Sequence, residues 1–140
     1  MPTEIELRCD TIEECYEFTL SYAARGLSSD EGSDAGRQIR RQLTRAVEAM
    51  RDLKASCGAA IDKERLAPAE RYAAFFVVLA RDAESAVAAI ELVLAQPVIS
   101  SQLIDNLNAS IHLRALLTDL FLVTEILQLR QTQAKALASN

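Results

Sequence analysis

Two runs of carboxylates are the residues of this chain most able to do chemistry: Glu13, Glu14 and Glu17, then Glu31 and Asp34. Spaced as Glu-Glu-x-x-Glu and Glu-x-x-Asp on neighbouring helices, such groups would hold Mg²⁺, a hard cation that takes oxygen ligands, bridges phosphates and neutralises charge as water attacks. A single histidine, His112, sits in Ser110-Ile111-His112-Leu113-Arg114 and offers a nucleophile for phosphoryl transfer, given a nearby base or amide and room for a receiver partner. Arg37, Arg41 and Arg45 recur every fourth residue with Arg40 beside them, a basic stripe suited to phosphates.

The acidic pair of motifs resembles that of the all-α nucleotide pyrophosphohydrolases, which are similar to this chain in size and helicity. The resemblance implies a Mg-dependent hydrolase using Glu13, Glu14, Glu17, Glu31 and Asp34. Taken on their own, the residues point elsewhere. At 100° per residue, Glu13, Glu14 and Glu17 lie opposite the apolar stripe Ile12-Cys15-Thr19-Tyr22, so they face solvent, and Glu31 and Asp34 fall in a Ser/Asp/Gly-rich loop. After His112 there is neither the Lys-Gly of histidine phosphotransfer domains nor the Pro of kinase dimerisation helices, and Asn108 is a natural hydrogen-bond partner for it. The basic stripe belongs to a chain of net charge −5 with few aromatic platforms, which argues against nucleic acid. No catalytic residue, metal or cofactor is therefore assigned, and an enzyme is the second choice.

Cys9, Cys15 and Cys57 form no Cys-x-x-Cys pair and have no His cluster near them, so neither a zinc site nor a disulfide framework is expected. The start of the chain lacks the basic and apolar run of a signal peptide, and the most apolar stretch, 113–129, is interrupted by Arg114, Asp119 and Glu125. The expectation is a cytoplasmic protein with no membrane partner. Its charge is uneven: nine acids stand against Arg8 and Arg25 up to Asp34, and six bases against Glu48 and Asp52 from Arg37 to Lys54. Opposite charges of this kind suit adjacent antiparallel helices.

The elements that must position these residues are helices. Three stretches keep an apolar 4-3-4-3 spacing: Ile39-Leu43-Ala46-Met50-Leu53-Cys57, Tyr72-Phe76-Leu79-Ala83-Ala86-Ile90-Val93 and Ala109-Leu113-Leu116-Leu120-Val123-Leu127. That period holds a stripe on one side of a helix and scatters it across both faces of a strand. The spacing predicts an all-α, up-down antiparallel four-helix bundle over 10–137, preceded by an irregular arm at 1–9. Its helices are expected at about 11–26, 34–57, 69–95 and 100–134. Thr11 with Glu14 forms a capping box for the first, Ser33 or Asp34 caps the second, and Ser100 caps the fourth. Gly58 ends helix two, or lies inside it at a cost of about 1 kcal/mol if Ile61 continues the stripe to Arg65.

Helix four, on the order of 50 Å long if unbroken, carries a second apolar face. Leu103, Ile104, Leu107, Ile111, Phe121, Leu122 and Leu129 cluster opposite its seam. A helix with two apolar faces needs two partners, and a contiguous patch of this kind marks an association surface. The sequence thus predicts a non-enzymatic bundle acting by protein–protein contact, an adaptor, assembly chaperone or small regulator. Leu103, Leu107, Ile111, Phe121, Leu122 and Leu129 are its expected interface, to a second copy or a client protein.

Overall fold

The computed structural model describes residues 2–138, and among them it is all-helical: α1 (Glu4–Ala24), α2 (Asp34–Lys63), α3 (Ala69–Leu94), α4 (Ser101–Ala109) and α5 (Ile111–Ala138). Among the described residues there are five helices where four were expected, and the expected arm is helical from Glu4, with Met1 outside the described residues. Both differences have a local cause.

Thr3 and Glu6 form a capping box about two turns earlier than Thr11 and Glu14. The Thr3 side chain accepts from the Glu6 N–H at 3.1 Å, and the Thr3 N–H donates to Glu6 Oε2 at 2.8 Å. Two Thr-x-x-Glu boxes compete, and the upstream one wins because it carries Ile5 and Cys9 into the core, where both are buried. Thr11 lies inside the helix and donates to the Leu7 carbonyl instead.

The expected fourth helix breaks at Ser110, whose backbone is extended (φ −62°, ψ 134°) while its N–H bonds back to the carbonyls of Asn106 and Leu107 at 3.1 Å each. One extended residue resets the phase of the apolar stripe. Before it, Ile104 and Leu107 point into the core; after it, Leu113, Leu116, Leu117 and Leu120 do so. Ile104 and Leu107 are therefore not on the second apolar face, because the angular count that put them there assumed one continuous helix.

Elsewhere the local chemistry follows the residues. Ser33 accepts from the Gly36 N–H and Ser100 from the Leu103 N–H, both at 3.0 Å, capping α2 and α4. α2 runs through Gly58 to Lys63, with Cys57 and Ala60 buried on either side of that glycine. Gly26 closes α1 at φ +67°, a left-handed exit that a β-carbon disfavours.

α1 packs on α2, α2 on α3, α3 on α5, and α1 on both α4 and α5, while the backbones of α1 and α3, and of α2 and α5, stay further apart among the described residues. The core lies inside that ring. All residues of the stripe from Ile39 to Cys57 are buried, as are those from Phe76 to Val93 and from Leu113 to Leu127, whereas Tyr72 is half-buried and Ala109 exposed at the end of α4. Arg8 meets Asp52 at 3.4 Å and Arg45 meets Glu14 at 3.9 Å, so α1 and α2 run in opposite directions. No helix among the described residues is long and apolar enough to cross a membrane.

Candidate functional site

The five carboxylates of the acidic motifs do not converge. Glu14 and Glu17 are exposed on α1 as expected while Glu13 is half-buried there, Glu31 is exposed in the loop, and Asp34 pairs with Arg37 in the first turn of α2. Among the described residues no group of three or more His, Cys, Asp or Glu side chains is arranged to hold a metal ion. His112 is exposed at the start of α5, and Asn108 turns away from it, donating to the Thr19 carbonyl at 3.1 Å. Arg37, Arg41 and Arg45 are exposed, and the first and last of them are held by Asp34 and Glu14. All three cysteines are buried free thiols. Burial pushes Cys15 and Cys57 up to about 12 and Cys9 to about 11, so their thiolates are scarce near neutrality.

The most ordered polar cluster ties the α1–α2 loop to the α3–α4 connection. Asp30 Oδ1 accepts from the Ile99 N–H at 2.7 Å, and Oδ2 accepts from Arg40 Nε at 2.6 Å. The same guanidinium donates to the carbonyls of Leu94, Gln96 and Pro97, a cation on the unpaired end of α3. Beside it, Tyr22 donates to the Ile99 carbonyl at 2.7 Å, while Ser101 Oγ donates to the Tyr22 carbonyl at 2.6 Å and accepts from the Leu27 N–H at 2.9 Å. Arg40 first, then the Ile99 amide, hold the Asp30 carboxyl below its usual range against the opposing effect of burial. Gly36 permits the close approach, since a β-carbon there would overlap the Asp30 carbonyl. Each polar group of this latch finds a partner inside the chain, which marks it as structural.

The opposite situation holds along α3 and α5. Of the six expected interface residues, Ile111, Phe121, Leu122 and Leu129 are exposed, Leu103 is half-buried and Leu107 buried. Ile111 and Leu129 are 72% and 53% exposed, high values for side chains this large. Leu103 lines a separate hollow with Leu92, Val93, Pro97 and Val98, and Phe121 faces the α1 side, beside Glu13, Tyr16 and Glu17. Leu122 instead joins an open apolar hollow of about 150 Å³ between α3 and α5, lined also by Arg71, Tyr72, Phe75, Phe76, Val123 and Ile126. Tyr72 and Phe76 meet at its floor with ring centroids 6.2 Å apart and planes tilted by 58°. Val78, one turn beyond Phe75, is 44% exposed and extends the apolar wall.

Asp82 lies one turn past Val78 on α3 and Asp119 one turn before Leu122 on α5, and the two carboxyls act on each other. Burial, then the hydrogen bond and charge of Asp82, push Asp119 up to about 7. Asp119 Oδ2 is buried with no hydrogen-bond partner among the described residues. That one buried carboxyl oxygen is a polar group that the fold leaves unsatisfied.

Sequence reasoning missed Asp82, Phe75 and Arg71 as parts of one face, and read Asp119 only as a charge interrupting an apolar stretch. The available signal was spacing: 71, 75, 78 and 82 on α3 and 119, 122 and 126 on α5 each recur at helical intervals. Compared with known protein families, curated proteins and solved structures, the chain matches none.

Proposed function

We propose that this chain is a non-enzymatic interaction module, an up-down antiparallel bundle of the four-helix kind with α4 and α5 sharing the fourth position, which pairs with a second copy through the outward face of α3 and α5. A cytoplasmic home and a role as adaptor, assembly chaperone or small regulator belong to the same reading. The observation that carries it is the surplus apolar surface of α5. Leu122 protrudes at an aromatic-floored hollow and Leu129, two turns further along α5, is exposed, and apolar area of this kind gains roughly 25 cal/mol per Å² when a partner covers it.

The heptad-like seams support the same conclusion indirectly. Most of their residues are buried in the core, and Leu122, Leu129 and Ile111 stay outside it with half or more of their surface exposed. Light scattering on the purified protein tests the reading, with Phe121→Asp and Leu122→Asp as controls. Dimeric wild type and a monomeric Leu122→Asp variant are expected. A wild type that stays monomeric at high concentration removes the homodimer.

A further inference from the structure

The face that the proposed function gives to a second copy carries opposite charges at its two ends. Arg71 lines the hollow together with Phe75, Leu122 and Ile126, and Asp82 and Asp119 follow one turn past Val78 on α3 and one turn before Leu122 on α5. Residues 71, 75, 78 and 82 follow one flank of α3, and at 1.5 Å per residue Arg71 stands roughly 16 Å along the helix from Asp82. Neither Arg71 nor the aspartate pair has an oppositely charged partner among the described residues.

We infer that the face is self-complementary: two copies pack α3 antiparallel on α3 about a two-fold axis that lies in the contact plane between Phe75 and Val78, so that Arg71 of each copy reaches Asp82 and Asp119 of the other. This rests on the homodimer reading and adds its register. An isologous contact presents the same patch from both sides, so every feature off the axis meets the feature equally far beyond it. Placed between Phe75 and Val78, the axis sets base against acid twice and apolar residues against each other in the middle. Moved to the aspartates, it would bring four carboxyls together; turned along the helices, it would set acid on acid and base on base. Like-charge juxtaposition of this kind suppresses wrong registers. Glu125, on the rim of α5 beyond Leu122, stays in solvent in this arrangement.

The test is a charge exchange read by sedimentation. Arg71→Glu alone, and Asp82→Lys with Asp119→Lys alone, each place like charges at both ends and should weaken the dimer at least tenfold. Mixed together, the two variants should form a dimer of one copy each, because both contacts then regain opposite charges. A wild-type dimer that neither variant weakens, or weakened variants that do not pair on mixing, overturns the register while leaving the dimer standing. A monomeric wild type overturns both. If the lysine variant fails to fold by circular dichroism, Asp82→Asn with Asp119→Asn takes its place. It should weaken the dimer and remove most of its salt dependence, and an unchanged salt response overturns the proposal.

Discussion

Asp30 and Asp119 are both packed carboxyls, one at the loop end of the molecule and one on the α3–α5 face, and their surroundings are opposite. Asp30 receives a guanidinium and a backbone N–H, and its carboxyl is held low. Asp119 meets only another carboxyl, keeps an unpartnered buried oxygen, and is pushed up to about 7. The first region is complete within one chain. The second carries large exposed apolar side chains, an aromatic floor and a carboxyl pair with no cation paired to it among the described residues. Groups that satisfy one another stabilise the fold, and groups left over are, on the proposed reading, where a second copy makes contact.

Breaking the complete region should have the largest effect. Asp30→Ala strands the Ile99 amide and the Arg40 guanidinium together and is expected to cost about 3 kcal/mol, seen as a lower urea midpoint with an unchanged slope. Gly36→Ala, a change that favours an ordinary helix, should instead cost about 2 kcal/mol because its β-carbon overlaps the Asp30 carbonyl. A neutral or stabilising result would show that the loop is free to move away.

Opposite pH dependences sharpen the contrast. The carboxyl of Asp30 is lowered on folding, so its contribution to stability is full above about pH 4 and is lost as pH falls through the lowered value. The carboxyl of Asp119 is raised, so the folded chain holds a proton that the unfolded chain releases between about pH 4 and 7, and stability declines as pH rises across that window. In dilute monomer, Asp119→Asn should therefore stabilise by about 1 kcal/mol at pH 8, a figure reduced for solvent screening, and change little at pH 4. Thermal melts at the two pH values measure the difference.

A smaller effect links that proton to association. Asp82 on α3 is the charged group that acts on Asp119 among the described residues, and α1 and α4 present none to it. Arrival of Arg71 from a second copy favours the ionised pair, so pairing releases protons and should tighten about tenfold between pH 6 and pH 8. A dimer whose strength is flat across that range would separate the aspartates from the contact.

Much of the scaffold was legible in the sequence because helical spacing is local. The stripe from Ile39 to Cys57 is buried residue for residue, and Ser33 and Ser100 cap the helices they precede. Errors arose where two local signals were equal or where partners were distant in sequence. Thr3 with Glu6 and Thr11 with Glu14 look alike, and only the burial of Ile5 and Cys9 in the folded core decides between them. A single extended residue at Ser110 moved Ile104 and Leu107 from the expected surface into the core. Asp30 finds Ile99 across 69 positions and Asp82 finds Asp119 from a different helix, pairings that no periodicity encodes. Leu122 and Leu129 were legible as surplus; the crevice beside them was not.

The central claim, that this chain associates through the α3–α5 face and leaves the latch end untouched, is tested most directly by methyl NMR spectra recorded over a dilution series. The signals of Val78, Leu122, Ile126 and Leu129 should move together with concentration while those of Leu27 and Ile99 stay fixed. Concentration-independent spectra, or shifts confined to residues outside the α3–α5 face, would contradict it.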